Sequence, residues 1–195
     1  MKTFHLILSS VVLTLLVACS KSETTSEDSA NNNLQRTTIV SDATPKQSIP
    51  ISKSYTFADK VNVVVADPRL DQQQVQEEIR NAIAAVMQEK GYTYQPELAQ
   101  ADLVMGFVLA LESAVTDQQL IAKFGLSPGL MSIASDGRYE KATLVLGAMA
   151  TDTETIYWKS MLQGFADFER DRKESERRID LLVAQMLSDL PQAGQ

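Results

Sequence analysis

The chain has 195 residues, 44% of them hydrophobic, which supplies one domain with a real core. Its 18 basic and 25 acidic residues give a formal charge of −7, so the composition argues against a nucleic-acid-binding domain. A single histidine and a single cysteine leave little for thiol, triad or zinc chemistry.

The N-terminus has the parts of a secretory signal. Lys2 and the α-amino group form a short positive region, followed by an apolar stretch of 14 residues from Phe4 to Val17, interrupted by His5, Ser9, Ser10 and Thr14. A bilayer span needs about 20 apolar residues, and here the polar run SKSETTSEDS follows at once. The stretch closes on Leu16-Val17-Ala18-Cys19, which resembles the lipobox of bacterial lipoproteins. That resemblance implies cleavage between Ala18 and Cys19, a diacylglyceryl group on the Cys19 sulfur and acylation of the new amino terminus. Two or three acyl chains hold a protein at a membrane where one does so only marginally. In many Gram-negative bacteria an aspartate after the cysteine marks inner-membrane retention. Ser20 resembles the pattern for outer-membrane export instead.

Cleavage there removes residues 1–18, including Lys2 and the only histidine, His5, and leaves 17 basic and 25 acidic residues, a net of −8. The only thiol becomes a thioether. Such a chain has no Ser-His-Asp or Cys-His arrangement, no cysteine nucleophile, no disulfide and no zinc site with nitrogen or sulfur ligands. No EF-hand, P-loop or GxGxxG motif is present. The expectation is a protein that is not an enzyme and carries no cofactor or metal.

Residues 19–53 read as a lipidated N-terminus and flexible tether. From Ser20 to Asn33 the only apolar residue is Ala30, so the segment cannot bury enough surface to offset its ordering entropy. A tether of roughly 30 residues has a root-mean-square span on the order of 30 Å. No element is assigned to Leu34, Ile39 and Val40.

The folded domain is expected over residues 54–191, with 192–195 as a tail. Residues 54–67, SYTFADKVNVVVAD, read as a strand broken near Asp59. Val75, Ile79, Ala82, Ile83 and Val86 then share one helical face, with Asp71 as N-cap, Gln74 three residues on, Lys90 in the last turn and Gly91 just beyond. ADLVMGFVLALE, 101–112, has the length and continuous apolarity of a buried central strand. Residues 141–150 and 155–165 flank Thr151-Asp152-Thr153-Glu154 as an antiparallel hairpin. From Lys173 to Leu190, Ile179, Leu182, Val183, Met186, Leu187 and Leu190 form one stripe, ended by Pro191.

The order β-α-β-β-β-α predicts an α+β fold with a small, mostly antiparallel sheet and its helices on one face. If the strands of the first β-α-β unit are adjacent, its crossover is right-handed.

Several short motifs in this order resemble the DUF4136 family of small bacterial lipoproteins, a domain of unknown function. They are Tyr55-Thr56-Phe57 in the opening strand, Ile79, Ala82 and Ile83 with the exit Lys90-Gly91-Tyr92, and Ala101-Asp102-Leu103-Val104. Asp152 with Ile156-Tyr157-Trp158-Lys159, and finally Leu190-Pro191, complete the pattern. The family implies no catalytic residues. The chain departs from it at 112–140, where the expected glycine- and tyrosine-rich connection is missing.

That connection is too long for a plain turn. It offers Leu120, Ile121, Phe124, Leu126, Leu130, Met131 and Ile133 either as a cover for the sheet or as an apolar lip, with Phe124, Leu130 and Met131 as the candidate binding residues. Trp158 reads as a core anchor, with ligand stacking as the alternative. Glu169 with Lys173 and Glu174 with Arg178 stand at the i, i+4 spacing of a solvated helix face. Asp67, Asp71, Glu77 and Glu78 cluster in sequence as a candidate acid pair or cation site.

The expected function is that of a lipid-anchored cell-envelope protein, held at the membrane through lipid on Cys19 and facing the periplasm from the outer membrane. It would serve as an interaction or assembly module for an unidentified envelope protein. The alternative is a small-molecule or lipid-binding protein with an apolar pocket near residues 112–140. A hydrolase using carboxylates or a serine is the third reading.

Overall fold

The computed structural model describes residues 36–43, 49–127, 129–132 and 137–195. The signal-like segment, Ala18, Cys19 and the first part of the expected tether lie outside the described residues.

The described residues form an α+β domain with one six-stranded mixed sheet and three α-helices. In chain order these are β1 (Thr38–Ala43), β2 (Ser54–Val64), α1 (Gln72–Glu89), β3 (Thr93–Tyr94), β4 (Leu103–Leu111), α2 (Asp117–Phe124), β5 (Tyr139–Met149), β6 (Ile156–Asp167) and α3 (Arg172–Met186). A single 3-10 turn, Leu98–Gln100, precedes β4. The strands lie in the order β1-β6-β5-β4-β2-β3. Pairings β2–β3 and β2–β4 are parallel, and β1–β6, β4–β5 and β5–β6 are antiparallel.

Each expected strand and both long helices form where the sequence pattern places them. The Asp71 carboxylate accepts from the Gln74 amide at 3.1 Å, and Gly91 takes the left-handed φ of +85° that ends α1. β2 is irregular between Phe57 and Asn62, at the expected break. In the hairpin, the Asp152 carboxylate accepts from the amides of Glu154 and Thr155 at 2.7 and 3.1 Å.

Four features differ from the expectation. First, Thr38–Ala43, inside the expected tether, is an edge strand along β6. Thr37, Thr38, Ile39 and Val40 are successive β-branched residues, and the Ser41 hydroxyl donates to Ser160 Oγ at 3.0 Å. Second, Thr93–Tyr94 adds a two-residue parallel edge strand, so the order is β-β-α-β-β-α-β-β-α.

Third, the two expected helices share one face, but a further helix, α2, lies on the other. Leu103, Met105, Phe107, Leu144, Leu146, Trp158 and Leu162 face the core beneath α1 and α3. Val145 and Met161 alternate with them on the opposite face and pack with Leu120 and Leu126 from α2 and its exit.

Fourth, residues 192–195 are tied down. The amides of Ala193 and Gly194 donate to the carbonyls of Lys90 at 2.9 Å and Ser52 at 2.7 Å. Lys90 Nζ donates to the Leu190 carbonyl at 2.6 Å, and the Tyr92 hydroxyl donates to that of Pro191 at 3.2 Å. The Lys90-Gly91-Tyr92 motif thus fastens the exit of α1 to the end of α3, satisfying carbonyls that a helix end leaves open.

Candidate functional site

The connection between β4 and β5 is a pinned cover. Thr116 and Gln119 form a capping box at the start of α2, and Gly125 ends it at φ +67°. Lys141 projects from β5 beneath it with 1% of its side chain exposed, placing Nζ 2.9 Å from both Glu112 Oε1 and Asp117 Oδ2. Burial works against the ammonium, but its hydrogen bonds to Asp117 and Glu112 outweigh this and leave its pKa raised. Gln163 completes the clamp. Its amide donates to Asp117 Oδ1 at 3.1 Å and its oxygen accepts from the Leu130 amide at 3.1 Å. The structure thus favours the cover reading of this segment.

Phe124, Leu130 and Met131 do not come together. Phe124 lines a pocket of about 200 Å³ with Val61, Val145 and Lys159, but Leu130 and Met131 are not among its lining residues. Met131 is 85% exposed. Trp158 is a core residue at 2% exposure.

The acidic residues of the α1 entry are also separated. Asp67 pairs with Arg69 at 2.8 Å, Asp71 caps the helix, Glu77 accepts from Gln73 at 3.0 Å and Glu78 from Gln74 at 2.8 Å. Among the described residues no group of three or more His, Cys, Asp or Glu is placed to hold a metal ion. No helix among them is long and apolar enough to cross a membrane.

Asp102, which the sequence reading used only as part of a motif, latches the sheet. Its carboxylate accepts from the amides of Lys53 and Ser54 and from the Ser54 hydroxyl at 2.8–3.0 Å. These bonds hold its pKa below the usual aspartate value. At the same edge Tyr55 stacks edge-on against Phe57 and Tyr94, each at 5.6 Å, and Arg80 lies 4.9 Å above Phe57.

A cavity with a largely apolar lining lies between the N-terminal halves of α1 and α3 and the sheet, with a volume of about 340 Å³. It exists because the cross-strand pair Ala142–Gly164 offers the helices almost no side-chain volume. The next pair, Leu144–Leu162, restores the apolar floor, with Val75, Ile79, Ile179 and Leu182 as walls. At one end Arg69 binds both Asp67 and Glu140, and its guanidinium lies 4.3 Å over the Phe168 ring. That pairing holds the Asp67 carboxyl at a pKa of about 2.

The charge run before and within α3 is arranged differently from the expected helix-face pairs. Glu169 precedes the helix and lies 3.2 Å from Arg138, and the i, i+4 pair is Arg172–Glu176 at 2.9 Å. Arg178 forms no salt bridge among the described residues. Instead it reaches over the cavity floor, where Nη2 stands 3.8 Å from the position a Cβ on Gly164 would occupy. Burial lowers its pKa and Arg170 lowers it further, with Glu174 acting in the opposite direction.

A search of curated proteins finds no match to this chain. Among solved structures it is similar to the PelC dodecamer from Paraburkholderia phytofirmans, at 12% identity and a TM-score of 0.47, covering 82% of this chain and 100% of that one. It is also similar to a DUF4136 family protein from Bacteroides thetaiotaomicron, at 15% identity and a TM-score of 0.48, covering 78% of this chain and 94% of that one. The profile of DUF4136, a domain of unknown function, matches residues 39–192, from within β1 to just past α3. With nearly the whole sheet and all three helices inside that match, the chain belongs to the DUF4136 family.

Proposed function

We propose that this chain is a lipid-anchored protein of the cell envelope, held through lipid on Cys19, whose domain works by binding an envelope protein rather than by catalysis. The observation that carries the reading is the tetrapeptide Leu16-Val17-Ala18-Cys19, closing a positively started apolar run too short to span a bilayer. Ser20 after the cysteine favours the outer membrane, and the polar residues behind it give the domain reach into the periplasm.

Two features of the fold support a docking role. Among the described residues β1 pairs only with β6, so its outer edge presents open backbone groups there, and Val40 on that strand is exposed. Such an edge accepts a strand from a partner. No comparable support exists for a pocket at 112–140, because Phe124, Leu130 and Met131 are dispersed.

Replacing Cys19 by Ala tests the anchor. The expected result is loss of acyl labelling, an unprocessed chain and loss of stable membrane association. A variant that is still cut after Ala18 and stays on the membrane overturns it. The docking role is tested by a photo-crosslinker at Val40 in intact cells. It should give a discrete protein adduct that the same group at the exposed Leu181 of α3 does not give.

A further inference from the structure

We propose that the cavity between α1 and α3 binds a single-chain amphiphilic monocarboxylate, a fatty acid in chemical class, with Arg178 holding the carboxylate over Gly164. The inference stands apart from the anchor, since every residue it uses lies in the folded domain.

Three observations lead to this ligand. The first is the cavity itself. Its volume of about 340 Å³ is at the lower end of the roughly 300–1,000 Å³ typical of small-ligand pockets. Its floor and walls are Leu109, Leu144, Leu162, Ile179 and Leu182, a surface suited to an alkyl chain. In the core these leucines and isoleucines would ordinarily be closed over. Here Leu109, Ile179 and Leu182 are only partly buried, because the space above Ala142 and Gly164 is only partly filled, with Thr37 Cγ2 3.1 Å and Arg178 Nη2 3.8 Å from where a Cβ on Gly164 would stand.

The second is the state of the charges around it. Arg69 is committed to Asp67 and Glu140, Arg170 lies 3.9 Å from Asp167, and Arg172 pairs with Glu176. The acids are equally occupied: Asp71 caps α1, Asp167 pairs with Arg138 at 3.1 Å, and Glu78 accepts from Gln74. Among the described residues Arg178 alone of the four cavity arginines has no carboxylate within 4.0 Å, and Glu174 acts on it only from farther away. A guanidinium desolvated without a partner is costly, and a ligand carboxylate accepting its two parallel N–H donors relieves that cost.

The third is charge number. Among the described residues one cavity cation lacks a close carboxylate, which balances one negative charge, whereas Asp71, Glu78 and Asp167 in the lining disfavour a dianionic phosphate head. A carboxylate fits this balance and a phosphate monoester does not.

The experiment titrates dodecanoate, below its micellar concentration, against the full chain carrying Cys19→Ser, so that no acyl group of its own competes. Displacement of a fluorescent polyene fatty acid reports occupancy. The expected result is saturable one-to-one binding, with dodecanol at least tenfold weaker and dodecyl phosphate weaker than dodecanoate. Arg178→Gln should weaken dodecanoate at least tenfold, the loss of one charge-assisted contact, while the thermal midpoint stays the same or rises. A midpoint lowered by Arg178→Gln would identify a structural arginine and overturn the assignment. Ser175→Trp, on an α3 position lining the cavity, should block binding while leaving the folded state intact. Equal binding of dodecanol, tighter binding of dodecyl phosphate, or unchanged dodecanoate affinity in either variant also overturns the proposal.

Discussion

The ammonium of Lys141 on β5 lies 2.9 Å from the Asp117 carboxylate at the start of α2, and this contact seats the β4–β5 connection on the sheet. Because Glu112 shares the same ammonium at 2.9 Å, the exit of β4 and the start of α2 are held by one buried charge. Lys141→Ala should cost about 1–3 kcal/mol, less than a fully buried pair, since the freed carboxylates regain water. Hydrogen exchange across 112–127 should accelerate more than in β4 or β5. Unchanged exchange there would show that Leu120 and Leu126 suffice to hold the cover.

Gly106 on β4 has no room for a side chain. A Cβ there would stand 2.9 Å from Met149 Cε and 3.1 Å from both Val61 Cγ2 and the Val61 carbonyl oxygen. The methionine tip can move aside, but the β2 backbone cannot. Gly106→Ala should therefore destabilise the domain by about 1–3 kcal/mol. Chemical denaturation followed by Trp158 fluorescence, the only tryptophan, measures it directly.

Asn62 is buried in the irregular part of β2, and neither its side-chain amide nitrogen nor its side-chain oxygen has a hydrogen-bond partner among the described residues. An unmet buried amide costs about 1–3 kcal/mol. Asn62→Leu, nearly the same shape without the polar atoms, should raise stability by about 1 kcal/mol. A loss of stability in the same denaturation assay would reveal a polar partner that the fold requires.

Acid should weaken the domain through the Arg69 cluster. Asp67 is lowered from 3.8 to about 2 in the folded state, chiefly by its hydrogen bond to Arg69. For Glu140, burial pushes the pKa upward but the bonds from Ser113 and Arg69 prevail and lower it. The unfolded chain binds these protons first, so the stabilisation is present above about pH 4 and disappears as pH falls toward about 2. In Arg69→Gln the stability deficit should be largest near neutral pH and shrink across that interval. Urea unfolding at a series of pH values checks this, and a constant deficit would assign the effect to packing against Phe168 instead.

The long elements were legible because each carries its own period. The α1 stripe with Asp71 and Gly91, the apolar β4 run, the β5–β6 hairpin and the α3 stripe all follow from local pattern and capping chemistry. β1 was missed although Thr37–Val40 is β-branched, because a six-residue edge strand has no meaning without β6 beside it. The tail was missed for a similar reason: its hydrogen bonds end on Lys90 and Ser52, far away along the chain.

The candidate site was less legible. Spacing alone placed Arg178 opposite Glu174 on a solvated face, a reasonable outcome for an isolated helix. In the folded domain the same side chain turns over Gly164, where the sheet leaves a gap. Sequence also grouped Phe124, Leu130 and Met131, whereas Lys141 and Gln163 determine where that segment lies.

By itself, then, the sequence determined the four long strands and two long helices, the family they make up, and the lipobox-like context of Cys19, since these depend on residues within a few positions of one another. The tertiary structure decided the pairing of β1, the opposite face taken by α2, and the gap above Ala142 and Gly164, into which the Arg178 guanidinium reaches with no carboxylate within 4.0 Å among the described residues. Those depend on which side chains meet across the sheet, and a cavity is defined by volume that no neighbouring residue fills.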